Sequence, residues 1–258
     1  MKIAVLIKQT PDTEVNIELT SDQTKIDPTN MKFIINPYDE FGIEEALKLK
    51  EQSGQGEILL LCFGPDSARE RLLKGLAMGA DRAVLISSEG HDLDSYGISQ
   101  VLAHALQQEK PDLVFCGKQA IDDDNMHVGP MVAEFLSWPH VNVVTKVTLS
   151  GGSCEVLREV EGGQVESYQV ELPAVLGAHK SLNSPRYASL PGIMKAKKKP
   201  FDTKTLSDLG ITPPAATTII KNYVYPKAKP KGQIFKDQSV QDMVSQVVTL
   251  LRDQAKVL

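Results

Sequence analysis

No apolar run in this chain approaches the roughly 20 residues that a membrane-spanning helix requires, so membrane insertion is not expected. The opening run Ile3–Ile7 is short and has no small-residue cleavage site after it. It reads as a buried strand rather than a signal peptide. Cysteine is scarce: Cys62, Cys116 and Cys154 stand alone and far apart. Cys62 and Cys116 end apolar, strand-like runs, which suits reduced, buried thiols better than disulfides or a metal site. Such thiols fit a bacterial cytoplasm, or an organelle matrix reached by separate targeting. A nucleophile–base set is missing too. There is no Gly-x-Ser-x-Gly, no Walker-type loop, no Cys-x-x-Cys and no Gly-x-Gly-x-x-Gly. No catalytic residue and no metal ligand can be nominated, so a binding or carrier role outranks a hydrolytic one. The 28 Lys and Arg against 33 Asp and Glu leave a net charge of −5, too little base for a general nucleic-acid-binding face. No internal repeat is present.

Acid is absent from one stretch, Arg186 to Pro200. It carries five positive charges (Arg186, Lys195, Lys197, Lys198, Lys199), so the rest of the chain sums to −10. Leu190, Ile193 and Met194 lie among these cations. Leu190 precedes Pro191-Gly192, a pair that favours a turn and predicts exposure. An apolar residue beside a positive patch suits docking to an acidic protein surface, and a solvated amphipathic loop is the plainer alternative.

What is present is alternation. Strand-like runs at Ile3–Ile7, Ile58–Phe63, Ala83–Ile86 and Leu113–Cys116 are separated by helical patterns. These cover Glu40–Lys50, Ser67–Met78 (with Ser67 and Glu70 at capping-box spacing and Gly79 as the stop), Tyr96–Gln108 and Met131–Leu136. This predicts a parallel sheet covered by helices on both faces. Beyond about Thr145, Glu155–Glu159 and Val165–Glu171 flank Glu161-Gly162-Gly163, a hairpin signal. Leu172–Gly177 reads as a further buried strand and Thr203–Gly210 as a short helix. Thr212–Gly232, with four prolines at 213, 214, 226 and 230, reads as an extended arm. Val240–Leu251 returns to helix, with Met243, Val244, Val247, Val248 and Leu251 on one face. An arm ending in such a helix can pack on another subunit or back on its own domain.

Gly117-Lys118-Gln119-Ala120-Ile121-Asp122-Asp123-Asp124-Asn125-Met126-His127-Val128-Gly129-Pro130 follows a buried strand and precedes a helix. In doubly wound sheets ligands bind outside the carboxyl ends of strands, and a helix start suits a phosphate. The aspartates can cap the helix, meet ribose hydroxyls or face solvent. A metal site from this triplet is disfavoured, since adjacent residues cannot all face one ion without a dedicated loop. His127 alone is weak as a catalytic residue and is expected to bond locally. Asn36-Pro37-Tyr38-Asp39 ends a short strand and opens a helix, with Pro37 pre-set for the first turn and Asn36 a candidate cap. That loop, Lys8 and Phe63-Gly64-Pro65 share one strand-end edge and could together close around an adenine.

These motifs give the chain its resemblance to a known family. Asn36-Pro37 followed by Glu44-Glu45-Ala46, Gly64-Pro65, Ala77-Met78-Gly79-Ala80-Asp81-Arg82, and Gly117 to Asp124 are long and ordered. Arg158-Glu159-Val160-Glu161-Gly162-Gly163, Leu172-Pro173-Ala174-Val175 and the basic segment complete the set. Over nearly its whole length the chain resembles the beta subunits of electron transfer flavoproteins. The resemblance implies an α/β fold of the adenine-nucleotide alpha-hydrolase-like kind: a doubly wound, mostly parallel sheet with a β-hairpin addition and a C-terminal arm. Residues 1–211 would form the nucleotide-binding domain, with a recognition loop at 183–200. Residues 212–258 would form the arm and helix packing on the partner subunit.

The resemblance also implies a role. The chain would be an electron-carrier subunit rather than an enzyme, paired with an alpha subunit that holds most of one FAD. Electrons would come from acyl-CoA dehydrogenases or similar flavin dehydrogenases and pass to a quinone reductase. The beta subunit would hold a structural AMP, with contacts carried over to Leu6, Asn36, Pro37, Tyr38, Asp39, Phe63, and Gly117, Lys118, Gln119, Ala120, Ile121, Asp122, Asp123, Asp124, Asn125, Met126, His127 and Val128. Leu190, with Ile193 and Met194, would dock the dehydrogenase. Glu159 would modulate electron transfer by releasing the mobile flavin domain. Thr13 and Tyr38 would lie near the flavin ring, although relatives often have an aromatic residue at position 13. Val128-Gly129-Pro130 is similar to electron-bifurcating members, which bind a second FAD in place of AMP. The Asp-Thr-x-Gln usual before it there is missing, and the recognition loop is of the non-bifurcating type, so AMP is favoured. Two rivals remain: a stand-alone adenine-nucleotide-binding module, and a metal-dependent hydrolase using Asp122–Asp124.

Overall fold

The computed structural model describes residues 1–229 and 231–258. The chain divides into two compact units, Met1–Asn222 and Tyr223–Leu258.

The first unit begins with β1 (Lys2–Leu6), β2 (Gln9–Pro11), β3 (Phe33–Ile35) and α1 (Pro37–Ser53). Then come β4 (Glu57–Gly64), α2 (Arg69–Met78), β5 (Arg82–Ser87), α3 (Ser95–Glu109), β6 (Leu113–Gly117) and α4 (Val128–Leu136). The antiparallel part is β7 (His140–Ser150), β8 (Ser153–Val160) and β9 (Gln164–Glu171), and the chain closes with β10 (Ala174–Ala178), α5 (Leu190–Ala196) and β11 (Phe201–Lys204). Nine strands form one sheet in the order β11-β5-β4-β1-β6-β10-β7-β8-β9, while β2 and β3 pair antiparallel on their own. From β11 to β7 all neighbours are parallel, and β7-β8-β9 is an antiparallel meander.

The apolar runs read as continuous because both sheet faces are covered. Successive side chains alternate between two cores. Ile3 and Val5 of β1, with Ile58, Leu60 and Cys62 of β4, join Ile43 and Leu47 of α1 and Leu72 and Leu76 of α2. Ala4 and Leu6, with Leu59 and Leu61, join Val101 and Leu102 of α3 and Val132 and Ala133 of α4. All three cysteines are free and buried. The doubly wound fold and the β8–β9 hairpin are as expected. Gly162 and Gly163 turn that hairpin at φ 77° and 73°, a left-handed conformation that glycine adopts without strain.

Four local expectations are corrected. Thr203–Gly210 is not a helix: Phe201–Lys204 is an edge strand paired parallel to β5, and a turn follows. The backbone pairing offered by β5 outweighs a weak local helix preference there. Ser67 and Glu70 form no capping box, since Ser67 lies in a 3-10 turn (Asp66–Ala68) and its hydroxyl accepts from Gln9 Nε2 at 3.1 Å. Asn36 does not cap α1 with its side chain, which is engaged elsewhere. Pro191-Gly192 is no turn but the first turn of α5, which Ser189 caps by accepting from the Gly192 amide at 3.1 Å.

No described residue from Ile211 to Ser239 lies in a helix or strand. Pro230, one of the arm's prolines, lies outside the described residues. The second unit carries α6 (Val240–Thr249), capped by Ser239 and followed by a π turn at Leu250–Gln254. No residue of α6 is buried, and Val240, Val244, Val247 and the following Leu251 remain exposed. Among the described residues no helix is long and apolar enough to cross a membrane.

Candidate functional site

Strand order reverses at β1. One half of the sheet winds outward from it through β4 and β5, and the other starts with β6. At such a switch point the crossover helices leave to opposite faces, so a crevice opens outside the carboxyl ends of the two strands. A cleft lies there. Leu6, Ile7 and Lys8 line it at the end of β1, and Cys116, Gly117 and Lys118 at the end of β6. Asn36 and Asp39 of the α1 start contribute, as do Phe63 near the end of β4 and the start of α4 at Val128-Gly129. Ser95, Ile98 and Leu102 of α3 form the far wall.

Two buried polar residues hold the two strand ends together. Asp39 Oδ2 accepts from the Lys8 amide at 2.7 Å, and its Oδ1 accepts from the Gly117 amide and from Asn36 Nδ2, both at 2.9 Å. Asn36 Nδ2 also donates to the Gln119 carbonyl at 2.9 Å, and its Oδ1 accepts from the Ile121 amide at 3.3 Å. The loop after β6 is thereby pinned to the α1 start. Burial pushes the Asp39 carboxyl up to about 7, against the pull of its three N–H donors. Gly117 has no room for a side chain. A Cβ there would lie 2.5 Å from Asp39 Oδ1 and 2.6 Å from Tyr38 Cβ. Gly129 is equally confined, with a Cβ falling 2.9 Å from Cys116 Sγ. The α4 start therefore sits directly on the end of β6.

The Asp triplet is spoken for. Lys8 Nζ bonds Asp122 Oδ1 at 2.8 Å and Asp123 Oδ2 at 3.0 Å, while Asp124 Oδ1 accepts from Gln119 Nε2 at 2.6 Å. Burial pulls the Lys8 ammonium down, and the two carboxylates more than offset it, so its pKa lies above the ordinary lysine value. Among the described residues no three His, Cys, Asp or Glu side chains converge on a point that could hold a metal. Burial pushes the Cys62 and Cys116 thiols up to about 12, so neither presents a thiolate.

Of the nucleotide contacts expected, Leu6, Asn36, Asp39, Phe63, Gly117, Lys118, Gln119, Ala120, Asp123, Asn125, Met126, His127 and Val128 line the cleft. Pro37, Tyr38, Ile121, Asp122 and Asp124 do not line it. Lys118 Nζ lies 5.4 Å from the Tyr38 ring centroid. Thr13 is exposed just after β2. Lys8, expected at this strand-end edge, also lines the cleft, as do Ile7, Ser95, Ile98, Leu102, Cys116 and Gly129, which were not among the expected contacts. Lys8 was legible, since it follows the first strand. The α3 wall was not, because nothing local says which helix crosses beside β6.

The residues fit an adenine nucleotide. Leu6, Phe63, Ile98, Leu102 and Met126 supply apolar walls for a flat base. The first amides of a helix have no intrahelical partner, and Val128 and Gly129 present theirs at the cleft; Pro130 has none to satisfy. Lys118 adds positive charge.

Glu159 lies on the meander, its carboxylate 3.8 Å from His179 Nδ1. Leu190 and Met194 are 79% and 71% exposed on α5, and Ile193 beside them 46%.

A sheet covered on both faces, with a cleft at its switch point, defines the class: a doubly wound α/β domain. The electron transfer flavoprotein domain matches residues 24–209 of the chain. Electron transfer flavoprotein subunit beta of Bradyrhizobium diazoefficiens is 37% identical over 258 residues, covering 100% of both chains. Its counterpart in Bacillus subtilis is 40% identical over 262 residues, again covering 100% of both. That of Sus scrofa is 41% identical over 214 residues, covering 82% of this chain and 84% of its own. The chain belongs to the electron transfer flavoprotein family, among its beta subunits.

Proposed function

We propose that this chain pairs with an alpha subunit, holds one AMP in its switch-point cleft, and relays electrons through a flavin shared with that partner. Donors would be acyl-CoA dehydrogenases or similar flavin dehydrogenases, and the acceptor a quinone reductase. The observation that carries the nucleotide reading is the cleft itself, where apolar walls from β1, β4 and α3 face the free amides of the α4 start.

FAD, when bound in the heterodimer, supplies the redox chemistry. This chain's own residues bind and orient. Asp39 and Asn36 fix the loop that closes over the nucleotide, and Lys8 ties the Asp122-Asp123 turn to the end of β1. Tyr38 and Thr13 face the flavin side, and Glu159 modulates the mobile flavin domain. Leu190, with Ile193 and Met194, docks the donor. The arm and the exposed apolar face of α6 pack on the alpha subunit. Aspartates already paired to Lys8 and Gln119 do not suit a hydrolytic metal site.

A second reading, a second FAD in place of AMP, rests on the Val128-Gly129-Pro130 helix start. Co-expression with the alpha subunit decides between them. Chromatography of the nucleotides released from denatured heterodimer should give one FAD and one AMP. Two FAD and no AMP would replace the first reading with the second.

A further inference from the structure

The segment ahead of α5, residues 184–189, has no helix or strand, yet it leads into the exposed apolar side chains Leu190, Ile193 and Met194. A loose segment would lose much of its contact energy to ordering on binding. Here it is tethered on both sides. Arg186 Nε and Nη2 donate to Glu44 at 2.9 and 3.0 Å, and Nη1 and Nη2 donate to Glu51 at 2.6 and 3.1 Å. The Arg186 amide also donates to Glu44 Oε2 at 3.1 Å, which fixes the backbone just before Tyr187. Glu44 is 4% exposed, and this fork engages both of its carboxylate oxygens. Upstream, Asn183 Nδ2 donates to the Phe41 carbonyl at 3.0 Å and to Glu45 Oε2 at 2.9 Å. Downstream, Lys199 Nζ donates to the Leu76 and Ala80 carbonyls at 2.9 and 2.5 Å, closing the C-terminal end of α2. Lys199 is therefore a structural tether rather than part of the solvent-facing patch with Lys195, Lys197 and Lys198. Between the tethers Tyr187 is 98% exposed, more than Leu190 or Met194.

We propose that Arg186 is a positioning residue that holds Tyr187 and α5 ready for docking, and that Tyr187 is a second anchor beside Leu190. The occupant is a flavin dehydrogenase with an apolar pocket rimmed by acids, because this surface is basic on an otherwise acidic chain. The inference rests on the reading of Leu190 as a docking residue.

The test uses purified heterodimer as acceptor for an acyl-CoA dehydrogenase supplied with its acyl-CoA substrate, with kcat and KM for the flavoprotein read separately. Arg186→Gln should raise KM about tenfold or more with kcat within about twofold, and should speed amide exchange over residues 187–196. Glu51→Gln, an exposed and milder change, should raise KM about two- to threefold. Tyr187→Ala should raise KM about tenfold with no change in exchange. In a Tyr187→Ala/Leu190→Ala background Arg186→Gln should add less than about twofold, since it acts through both anchors; general destabilisation would add in full. If Leu190→Ala raises KM while Arg186→Gln, Glu51→Gln and Tyr187→Ala leave it unchanged, the positioning inference is wrong and the docking reading stands. If Leu190→Ala has no effect on KM, both are wrong.

Discussion

Replacing Asp39 by asparagine tests whether burial or hydrogen bonding governs the switch point. The carboxyl is 4% exposed, and burial lifts it to about 7 in the fold. In the unfolded chain it titrates near 3.9. Between those values the native state holds a proton that the unfolded state has released. The group's stabilisation is therefore complete below about pH 4 and is lost as pH rises to about 7. The slope is about 1.4 kcal/mol per pH unit, about 4 kcal/mol in all, and about 3 kcal/mol between about pH 5 and pH 7.5. The amide of the Asp39→Asn variant cannot titrate. It loses acceptor capacity for the Lys8 amide, the Gly117 amide or Asn36, but that loss is the same at every pH. The assay is urea unfolding of both proteins across this range, and the quantity of interest is their difference. Other carboxylates cancel in that difference, including Glu109 and Asp94, which are held at about 2. Wild type minus variant should fall by about 3 kcal/mol from pH 5 to 7.5. A flat or rising difference would refute the reasoning and mean that three N–H donors keep Asp39 ionised despite its burial.

Two further substitutions address the cleft and the relay. Gly129→Ala puts a Cβ 2.9 Å from Cys116 Sγ and 3.3 Å from His140 Cε1, so the α4 start must lift from β6. We expect a cost of about 1–3 kcal/mol in thermal unfolding and a clear loss of bound nucleotide, partly restored by adding Cys116→Ala. Full nucleotide content at an unchanged Tm would show that the close approach is dispensable. Glu159→Ala, at an exposed site on the meander, should slow electron transfer several-fold in stopped flow while KM for the dehydrogenase stays within about twofold. Unaltered transfer would make Glu159 an ordinary hairpin residue.

Much of this molecule was readable from local pattern, because parallel strands buried on both faces must be apolar throughout and their helices must carry one apolar stripe. Ile3–Ile7, Ile58–Phe63 and Leu113–Cys116 could hardly be anything else. Gly162-Gly163 marked its hairpin because few residues other than glycine tolerate that backbone. The ordered motifs from Asn36-Pro37 to Gly117–Asp124 were enough to indicate the family. Local pattern failed where the deciding partner is distant in sequence. Phe201–Lys204 became a strand because β5 offered an open edge, and the Ser67 hydroxyl, expected to cap α2, is engaged by Gln9 instead. Asn36 was drawn from capping by a loop more than eighty residues away. The sequence by itself determined a two-sided α/β domain, its reduced cysteines and its exposed basic segment. Tertiary structure alone decided that β1 and β6 lie side by side, that α3 walls the cleft between them, and that Arg186 and Lys199 tether the ends of the segment presenting Leu190. Strand order and long-range ion pairs are set by which surfaces meet when the chain closes, and no local propensity encodes that.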